Sequence, residues 1–128
     1  MKKRILIADD EARVLLILHD SLKKLGDGYE IATAHDGLEA LQLALDGPFD
    51  LVISDLRMPG LSGVELARRI KAARPGTEFI WITAYGCYNV ADECAHLGIL
   101  TCLDKPLEIR EIRKRVKEAL RGLDQASA

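Results

Sequence analysis

The sequence alternates five times between a short apolar run and a longer stretch in which apolar residues recur every three or four positions. In the first pair, residues 4–8 form the short run, and 12–25 carry a valine and several leucines at helical spacing before Gly26. Consecutive parallel strands need a crossover connection, and a helix is the usual one. The alternation therefore predicts an α/β domain built on a parallel sheet.

The other four pairs repeat this pattern, and two of their helices begin with a capping-box spacing, Asp36 with Glu39 and Ser62 with Glu65. Runs such as ILIA, LVIS and FIWI are apolar almost throughout, as expected of strands that are buried on both faces. We therefore predict a doubly wound sheet covered by helices on both sides. The predicted strands are 4–8, 29–34, 50–54, 79–82 and 100–103, and the predicted helices are 12–25, 38–45, 62–73, one within 87–97, and 107–121.

Length and composition exclude several classes of protein. The chain has 128 residues, 48% hydrophobic and 30% charged, which is typical of one globular domain and not of a disordered or fibrous protein. Its net charge of -2 lacks the basic excess of a dedicated nucleic-acid binder. The first apolar run is interrupted at Asp9, too early for a signal peptide or a membrane span. We expect no direct contact with nucleic acid or membrane.

The three cysteines, Cys87, Cys94 and Cys102, are odd in number and show neither a CxxC motif nor a zinc-type spacing with histidine. We therefore expect neither a disulfide framework nor a structural zinc site. A chain of this kind fits a reducing cytoplasm.

Polar side chains follow four of the predicted strands. Asp9 and Asp10 follow strand one, Asp55 follows strand three, Thr83 strand four and Lys105 strand five. In such sheets the ligand site lies beyond the carboxyl ends of the strands. Clustered carboxylates repel one another unless a cation lies among them, and Mg²⁺ prefers carboxylates combined with phosphate oxygens. The sequence thus predicts an Mg²⁺ site that admits a phosphoryl group, held also by the lysine and the threonine hydroxyl.

Each of these residues taken alone has a simpler interpretation. An acidic pair such as Asp9 and Asp10 is often a helix N-cap, and Asp55 alone is a turn residue. Thr83 alone is a strand-end hydroxyl, and Lys105 alone is a solvated charge. Their joint placement at four strand ends of one alternating chain favours a functional site.

The ordered motifs ILIADDE, LVISDLRMPGLSGVEL, IWITAYG and LDKPLEIREI cover nearly the whole chain. Together they resemble a response-regulator receiver domain, the phosphoacceptor module of two-component signalling. The resemblance implies a flavodoxin-like single domain over 1–122, with five strands in the order 2-1-3-4-5 and five helices. We expect residues 123–128 to form a disordered tail.

The resemblance also implies roles for the residues at the strand ends. Asp55 would take a phosphoryl group from a sensor histidine kinase or a histidine phosphotransfer protein. Mg²⁺ would be bound by the side chains of Asp10 and Asp55 and the backbone carbonyl of Arg57, with Asp9 assisting through water. Lys105 would pair with the phosphoryl group. The domain would be a signalling module with weak autophosphorylation and autodephosphorylation, and not an enzyme.

Thr83 would be the switch residue whose hydroxyl turns toward the phosphoryl group, and the peptide bond between Lys105 and Pro106 would be cis. The output surface would comprise helix four, strand five and helix five, and it would control a downstream protein or an output domain. The family also allows a phosphorylation-dependent homodimer through this surface. Whether the receiver stands alone or belongs to a longer protein stays open at this point.

Two positions depart from the family pattern. Cys102 stands where the family usually has an aromatic switch residue, and Ile99 replaces a small residue. We interpret Cys102 as a small, inert hydrophobic side chain in a short strand. These departures leave one alternative, a degenerate receiver that serves as a constitutive interaction platform. A small hydrolase that uses Asp55 as a nucleophile is the other, but the sequence has no room for a substrate-binding cap.

Overall fold

The protein is described here from a computed structural model that covers residues 2–127, with side chains described for residues 2–121. One sheet contains five parallel strands in the order β2-β1-β3-β4-β5, as predicted. The strands are β1 (Lys3–Ala8), β2 (Tyr29–Ala34), β3 (Leu51–Asp55), β4 (Glu78–Thr83) and β5 (Thr101–Asp104). The helices are α1 (Ala12–Lys23), α2 (Gly37–Asp46), α3 (Gly63–Ala73), α4 (Ala91–Leu97) and α5 (Ile109–Ser127), and a 3-10 turn (Cys87–Val90) precedes α4.

The sheet has a hydrophobic cluster on each face, because successive side chains of a strand point to opposite sides. In β1, Leu6 and Ala8 pack toward α2 and α3, and Ile5 and Ile7 pack toward α1 and α5. All four side chains are fully buried. Burying one large aliphatic side chain contributes about 1.5 to 3 kcal/mol. Burial on both faces explains why these strands are apolar almost throughout.

Two helices begin at the caps that the sequence predicted. The Asp36 carboxylate accepts a hydrogen bond from the Glu39 backbone N–H at 2.8 Å, and the Ser62 hydroxyl accepts one from Glu65 N–H at 3.2 Å. The return half of the box is absent in both described helices. The Glu39 carboxylate accepts from His35 N–H instead, and the Glu65 carboxylate pairs with two arginines of its own helix.

Strand β2 has the predicted bounds, and most other element ends differ from the predicted ones by one or two residues, whereas α5 extends to Ser127, beyond its predicted end at residue 121. Helix α5 begins at Ile109 and not at residue 107, after the cis peptide bond between Lys105 and Pro106, which was predicted. The predicted fourth helix divides into the 3-10 turn and the short α4. The tail predicted at 123–128 lies outside the residues whose side chains are described, and its disorder stays a prediction.

The expectation that the cysteines form no disulfide is wrong. Cys87 in the 3-10 turn and Cys102 in β5 are joined by a disulfide, with Cα atoms 5.7 Å apart, inside the usual range. Cys94 is a free thiol. Sequence spacing did not reveal this pair because only the packing of the 3-10 turn against β5 brings the two residues together.

Gly63 lies where α3 approaches the backbone at the end of β3. A Cβ at this position would lie 2.3 Å from the carbonyl oxygen of Asp55 and 2.8 Å from Leu56 Cα. We therefore expect Gly63→Ala to lower the free energy of unfolding by about 2 kcal/mol, a typical cost of overpacking, as measured by urea denaturation. Gly76→Ala is the matched control, because a Cβ there meets nothing within 4 Å. Equal stability of the two variants would contradict this account.

Candidate functional site

Four strand ends deliver polar side chains to one edge of the sheet. Asp9 follows β1 directly, Asp55 ends β3, Thr83 ends β4, and Lys105 follows β5. The parallel register brings these ends to the same edge, since Asp55 in β3 pairs with Ile82, the residue before Thr83 in β4. The topology therefore gathers the residues that the sequence singled out.

The Lys105 ammonium lies among three carboxylates. Its Nζ is 3.0 Å from Asp9 Oδ2, 3.1 Å from Glu11 Oε1 and 3.0 Å from Asp55 Oδ2, and it donates hydrogen bonds to Glu11 and Asp55. Burial alone would lower the pKa of Lys105, but the interactions with Asp55, Asp9 and Glu11 outweigh it and raise that pKa well above its usual range. Lys105 is therefore a permanent cation at this site.

Asp9 is the most deeply buried acid of this group, with a relative exposure of 0%. Its Oδ1 accepts a hydrogen bond from the Glu11 backbone N–H at 2.9 Å. Its Oδ2 lies close to Lys105 Nζ as an ion pair, yet it accepts no hydrogen bond within the described part of the chain. Burial raises the pKa of Asp9 to about 6, and the Glu11 N–H and Lys105 only partly counteract this effect. The carboxylate would therefore gain from a nearby cation.

Three acids, Asp9, Glu11 and Asp55, each offer a carboxylate oxygen within 4.8 Å of one another. Hard oxygen ligands of this kind suit Mg²⁺, and Asp9 Oδ2, which contacts Lys105 but accepts no hydrogen bond from the described residues, could coordinate such an ion. The donor set therefore fits a divalent ion.

Glu11 is the member that sequence reasoning missed. An exposed acid at the start of a helix is usually read as a favourable dipole charge, and Glu11 is the N-cap residue of α1. Its only sequence signal is the third acid in the run ADDE. Asp10, the predicted ligand, is exposed and lines the neighbouring cavity without joining the three-acid group. Its role as an Mg²⁺ ligand stays a prediction.

A cavity of about 360 Å³ opens beside these carboxylates. Its lining comprises Asp10, Glu11, Asp55, Arg57, Thr83, Ala84, Tyr85 and Lys105. The Arg57 guanidinium lies 4.0 Å from the centre of the Tyr85 ring, so a cation–π contact joins the loop after β3 to the loop after β4. The Thr83 hydroxyl accepts a hydrogen bond from the Tyr85 backbone N–H at 2.8 Å. The cavity is thus bordered by three acids, two basic side chains and two hydroxyl-bearing side chains.

Residues 5–117 match the family model for the response regulator receiver domain. The chain belongs to this family. Its relatives include Sporulation initiation phosphotransferase F of Bacillus subtilis, 37% identical over 94% of this chain and 95% of that protein. Transcriptional regulatory protein ZraR of Klebsiella oxytoca is 36% identical over 91% of this chain, which spans only 26% of that longer protein.

Solved receiver domains have the same fold. A CheY-like receiver domain protein from Methanospirillum hungatei superposes with a TM-score of 0.92 at 28% identity, covering 98% of this chain and 99% of that one. The receiver domain of AraT, a response regulator from Geobacillus stearothermophilus, gives a TM-score of 0.91 at 32% identity over the whole of both chains. Both comparisons agree with the observed strand order.

The protein is therefore a receiver domain of two-component signalling with an acidic pocket formed by Asp9, Glu11 and Asp55. Domains of this family bind Mg²⁺ at such a cluster and interact with sensor kinases and output domains. The fold is that of a signalling module and not of a conventional enzyme. Across residues 2–127, no helix is long and apolar enough to cross a bilayer.

Proposed function

We propose that this receiver domain accepts a phosphoryl group on Asp55 from the phosphohistidine of a sensor histidine kinase or of a histidine phosphotransfer protein. The observation that carries the proposal is the Asp55 carboxylate at the wall of an open cavity, 3.0 Å from the Lys105 ammonium and within 4.8 Å of two further carboxylates. A relative that is named a phosphotransferase, with which the chain shares nearly its whole length, supports this function.

The proposed transfer is a substitution at phosphorus. One carboxylate oxygen of Asp55 forms a bond to phosphorus while the bond between phosphorus and the histidine nitrogen breaks, and the freed imidazole takes up a proton. Lys105 donates hydrogen bonds to the phosphoryl oxygens in place of one of its present carboxylate contacts. The Arg57 backbone N–H, 3.3 Å from Asp55 Oδ1, helps to orient the nucleophile.

Asp9, Glu11 and Asp55 would hold Mg²⁺, and the family resemblance adds Asp10 and the Arg57 carbonyl to this set. When bound, the ion would supply positive charge for the phosphoryl oxygens. Without Mg²⁺, Lys105 would be the cation that offsets the charge of these three carboxylates. Their repulsion would then slow the approach of the negatively charged phosphoryl donor.

Phosphorylation would switch the output surface through Thr83. A phosphoryl group adds about 1.5 to 2 negative charges and three strong hydrogen-bond acceptors. The Thr83 hydroxyl now accepts from Tyr85 N–H, and its own proton can be donated to a phosphoryl oxygen. A movement of Thr83 would carry the loop after β4 with it.

We propose the surface formed by α4, β5 and α5 as the output surface. Two apolar side chains are exposed next to it: Tyr88 of the 3-10 turn before α4 is 83% accessible, and Leu100, just before β5, is 48% accessible. A downstream protein, an output domain or a second copy of the receiver could dock there, and we propose no direct contact with nucleic acid or membrane. We propose a cytoplasmic location, where such partners would meet the domain.

The test is an intact-mass measurement after incubation with acetyl phosphate, in Mg²⁺ and in EDTA. A mass increase of one phosphoryl group in Mg²⁺, strongly reduced in EDTA, is expected because the ion offsets the repulsion between the carboxylates and the phosphate. If the folded protein forms no adduct in either buffer, the proposed phosphorylation of Asp55 is wrong. That result would favour the degenerate interaction platform, for which the disulfide at the altered switch position is the motivating observation.

A further inference from the structure

The disulfide between Cys87 and Cys102 crosses from the segment that follows the switch threonine to the strand that precedes the site lysine. Cys87 lies four residues after Thr83, and Cys102 lies three residues before Lys105. Both cysteine residues are partly exposed, although Cys102 also packs against the hydrophobic cluster on its face of the sheet. The bond is therefore placed between the two elements that a phosphoryl group would rearrange.

Hydrogen bonds connect the disulfide to the site on both sides. The Cys87 backbone N–H donates to Asp104 Oδ1 at 2.9 Å, and the Lys105 N–H donates to the Thr83 carbonyl at 2.8 Å. The Tyr85 N–H donates to the Thr83 hydroxyl. Because the segment 84–90 holds this hydroxyl and is itself held by the disulfide, the disulfide restricts the position of the switch residue.

We propose that Cys87 and Cys102 form a reversible thiol–disulfide switch that sets how readily the segment 84–90 rearranges, and thereby how fast Asp55 is phosphorylated. The effect on phosphorylation rests on the proposed function. The covalent switch itself does not.

The chemistry is thiol–disulfide exchange with a cellular dithiol or a low-molecular-weight thiol. A thiolate of the reductant attacks one sulfur of the pair, the bond between the two sulfurs breaks, and a mixed disulfide forms while the other cysteine leaves as a thiolate. A second thiol of the reductant then displaces the first cysteine. Two electrons and two protons have passed to Cys87 and Cys102, and the reductant has become a disulfide. A low-molecular-weight disulfide reverses the reaction.

The third cysteine supplies an internal control. Cys94 lies on α4 as a free thiol, and burial, with a smaller contribution from the Glu93 charge, raises its pKa. A raised pKa reduces the thiolate fraction, so Cys94 is a poor competitor in the exchange. Cys94→Ser should leave the switch intact.

The chain also contains its own reporter. Trp81 is the single tryptophan, and it lies opposite Cys102 in the register of β4 and β5. Disulfides quench nearby indole fluorescence, so reduction should raise the emission of Trp81. The emission of Trp81 therefore reports whether Cys87 and Cys102 are oxidised or reduced, and it can be measured on unphosphorylated protein.

The experiment titrates the purified protein with glutathione buffers of graded thiol-to-disulfide ratio and follows Trp81 emission and the mass after alkylation. We expect Cys87 and Cys102 of the wild type to be oxidised and reduced together, and Cys94→Ser to match the wild type. Cys87→Ser and Cys102→Ser should form no intramolecular disulfide, and their remaining thiol can form only a mixed disulfide with glutathione, which the mass distinguishes. With acetyl phosphate and Mg²⁺, the reduced protein should form its adduct about tenfold faster than the oxidised protein, a typical size for coupling between two sites.

Equal adduct rates in the two redox states would overturn the proposal, and so would a pair that does not exchange with glutathione in the folded protein. If neither state forms an adduct, the proposed phosphorylation fails, and amide hydrogen exchange decides the switch separately. Slower exchange over 84–90 in the oxidised protein would support it, and identical exchange would overturn it.

Discussion

Asp55→Asn is expected to abolish the phosphoryl adduct that the wild-type protein forms with acetyl phosphate and Mg²⁺. The amide has the same shape as the carboxylate, but it carries no negative charge and is a far weaker nucleophile toward phosphorus. The variant should still fold, because the amide keeps the shape of the carboxylate at the end of β3 and the hydrophobic clusters on both faces of the sheet are unchanged. Intact mass gives the adduct, and circular dichroism gives the fold.

The control is Asp20→Asn, which changes an exposed acid on α1 away from the acidic pocket and should leave the adduct unchanged. Borohydride reduces an aspartyl phosphate, and peptide mapping then locates the modified residue. An adduct that persists in Asp55→Asn would show that another acid beside Lys105, Asp9 or Glu11, is the acceptor.

The fold could be predicted from the sequence because the order of its elements, the composition of its strands and the residues at the strand ends all indicate the same parallel sheet. The alternation of runs fixes the parallel arrangement, and the apolar strands ILIA, LVIS and FIWI require cover on both faces. The rule that parallel strands end at a common edge then places Asp9, Asp55, Thr83 and Lys105 together before any coordinate is known. That inference needed only strand ends, which periodicity locates to within a residue or two.

Glu11 and the disulfide escaped prediction for a shared physical reason. Glu11 contacts Lys105 at a sequence separation of 94 residues, because the ends of β1 and β5 lie at the same edge of the sheet. Cys87 meets Cys102 only because the 3-10 turn packs on β5. Both contacts depend on individual side chains that only the tertiary fold brings together, which neither hydrophobic period nor capping signals predict. The interpretation of Cys102 as an inert core residue failed because its partner, Cys87, lies in the 3-10 turn that packs on β5.

The free energy of unfolding of the Mg²⁺-free protein is expected to depend on pH through Asp9. The pKa of Asp9 rises from the ordinary 3.8 to about 6 in the folded protein, chiefly because the side chain is buried. Between these values the folded state binds more protons than the unfolded state, so stability is lost as pH rises. From about pH 4 to about pH 7, Asp9 should lower the free energy of unfolding by up to about 3 kcal/mol.

Asp9→Asn removes this titration while it keeps the shape of the side chain. Whatever constant cost the amide adds beside Lys105, the variant should lose less stability than the wild type as pH rises from about 4 to about 7 in EDTA. Urea denaturation at several pH values measures the difference in slope, and Asp20→Asn, an exposed acid, should follow the wild type. Addition of Mg²⁺ at neutral pH should stabilise the wild type and have little effect on Asp9→Asn, because binding to the folded state alone raises the free energy of unfolding.

A steeper loss of stability with pH in Asp9→Asn than in the wild type would mean that the ion pair with Lys105 more than offsets the cost of burying the charge. Asp9 would then be a structural partner of the lysine, complete without an ion. The expected result leads to the opposite conclusion, because a carboxylate that destabilises the metal-free protein at neutral pH despite its ion pair with Lys105 would be stabilised by a further cation. Asp9 Oδ2, which contacts Lys105 but accepts no hydrogen bond from the described residues, is the atom that such a cation would bind.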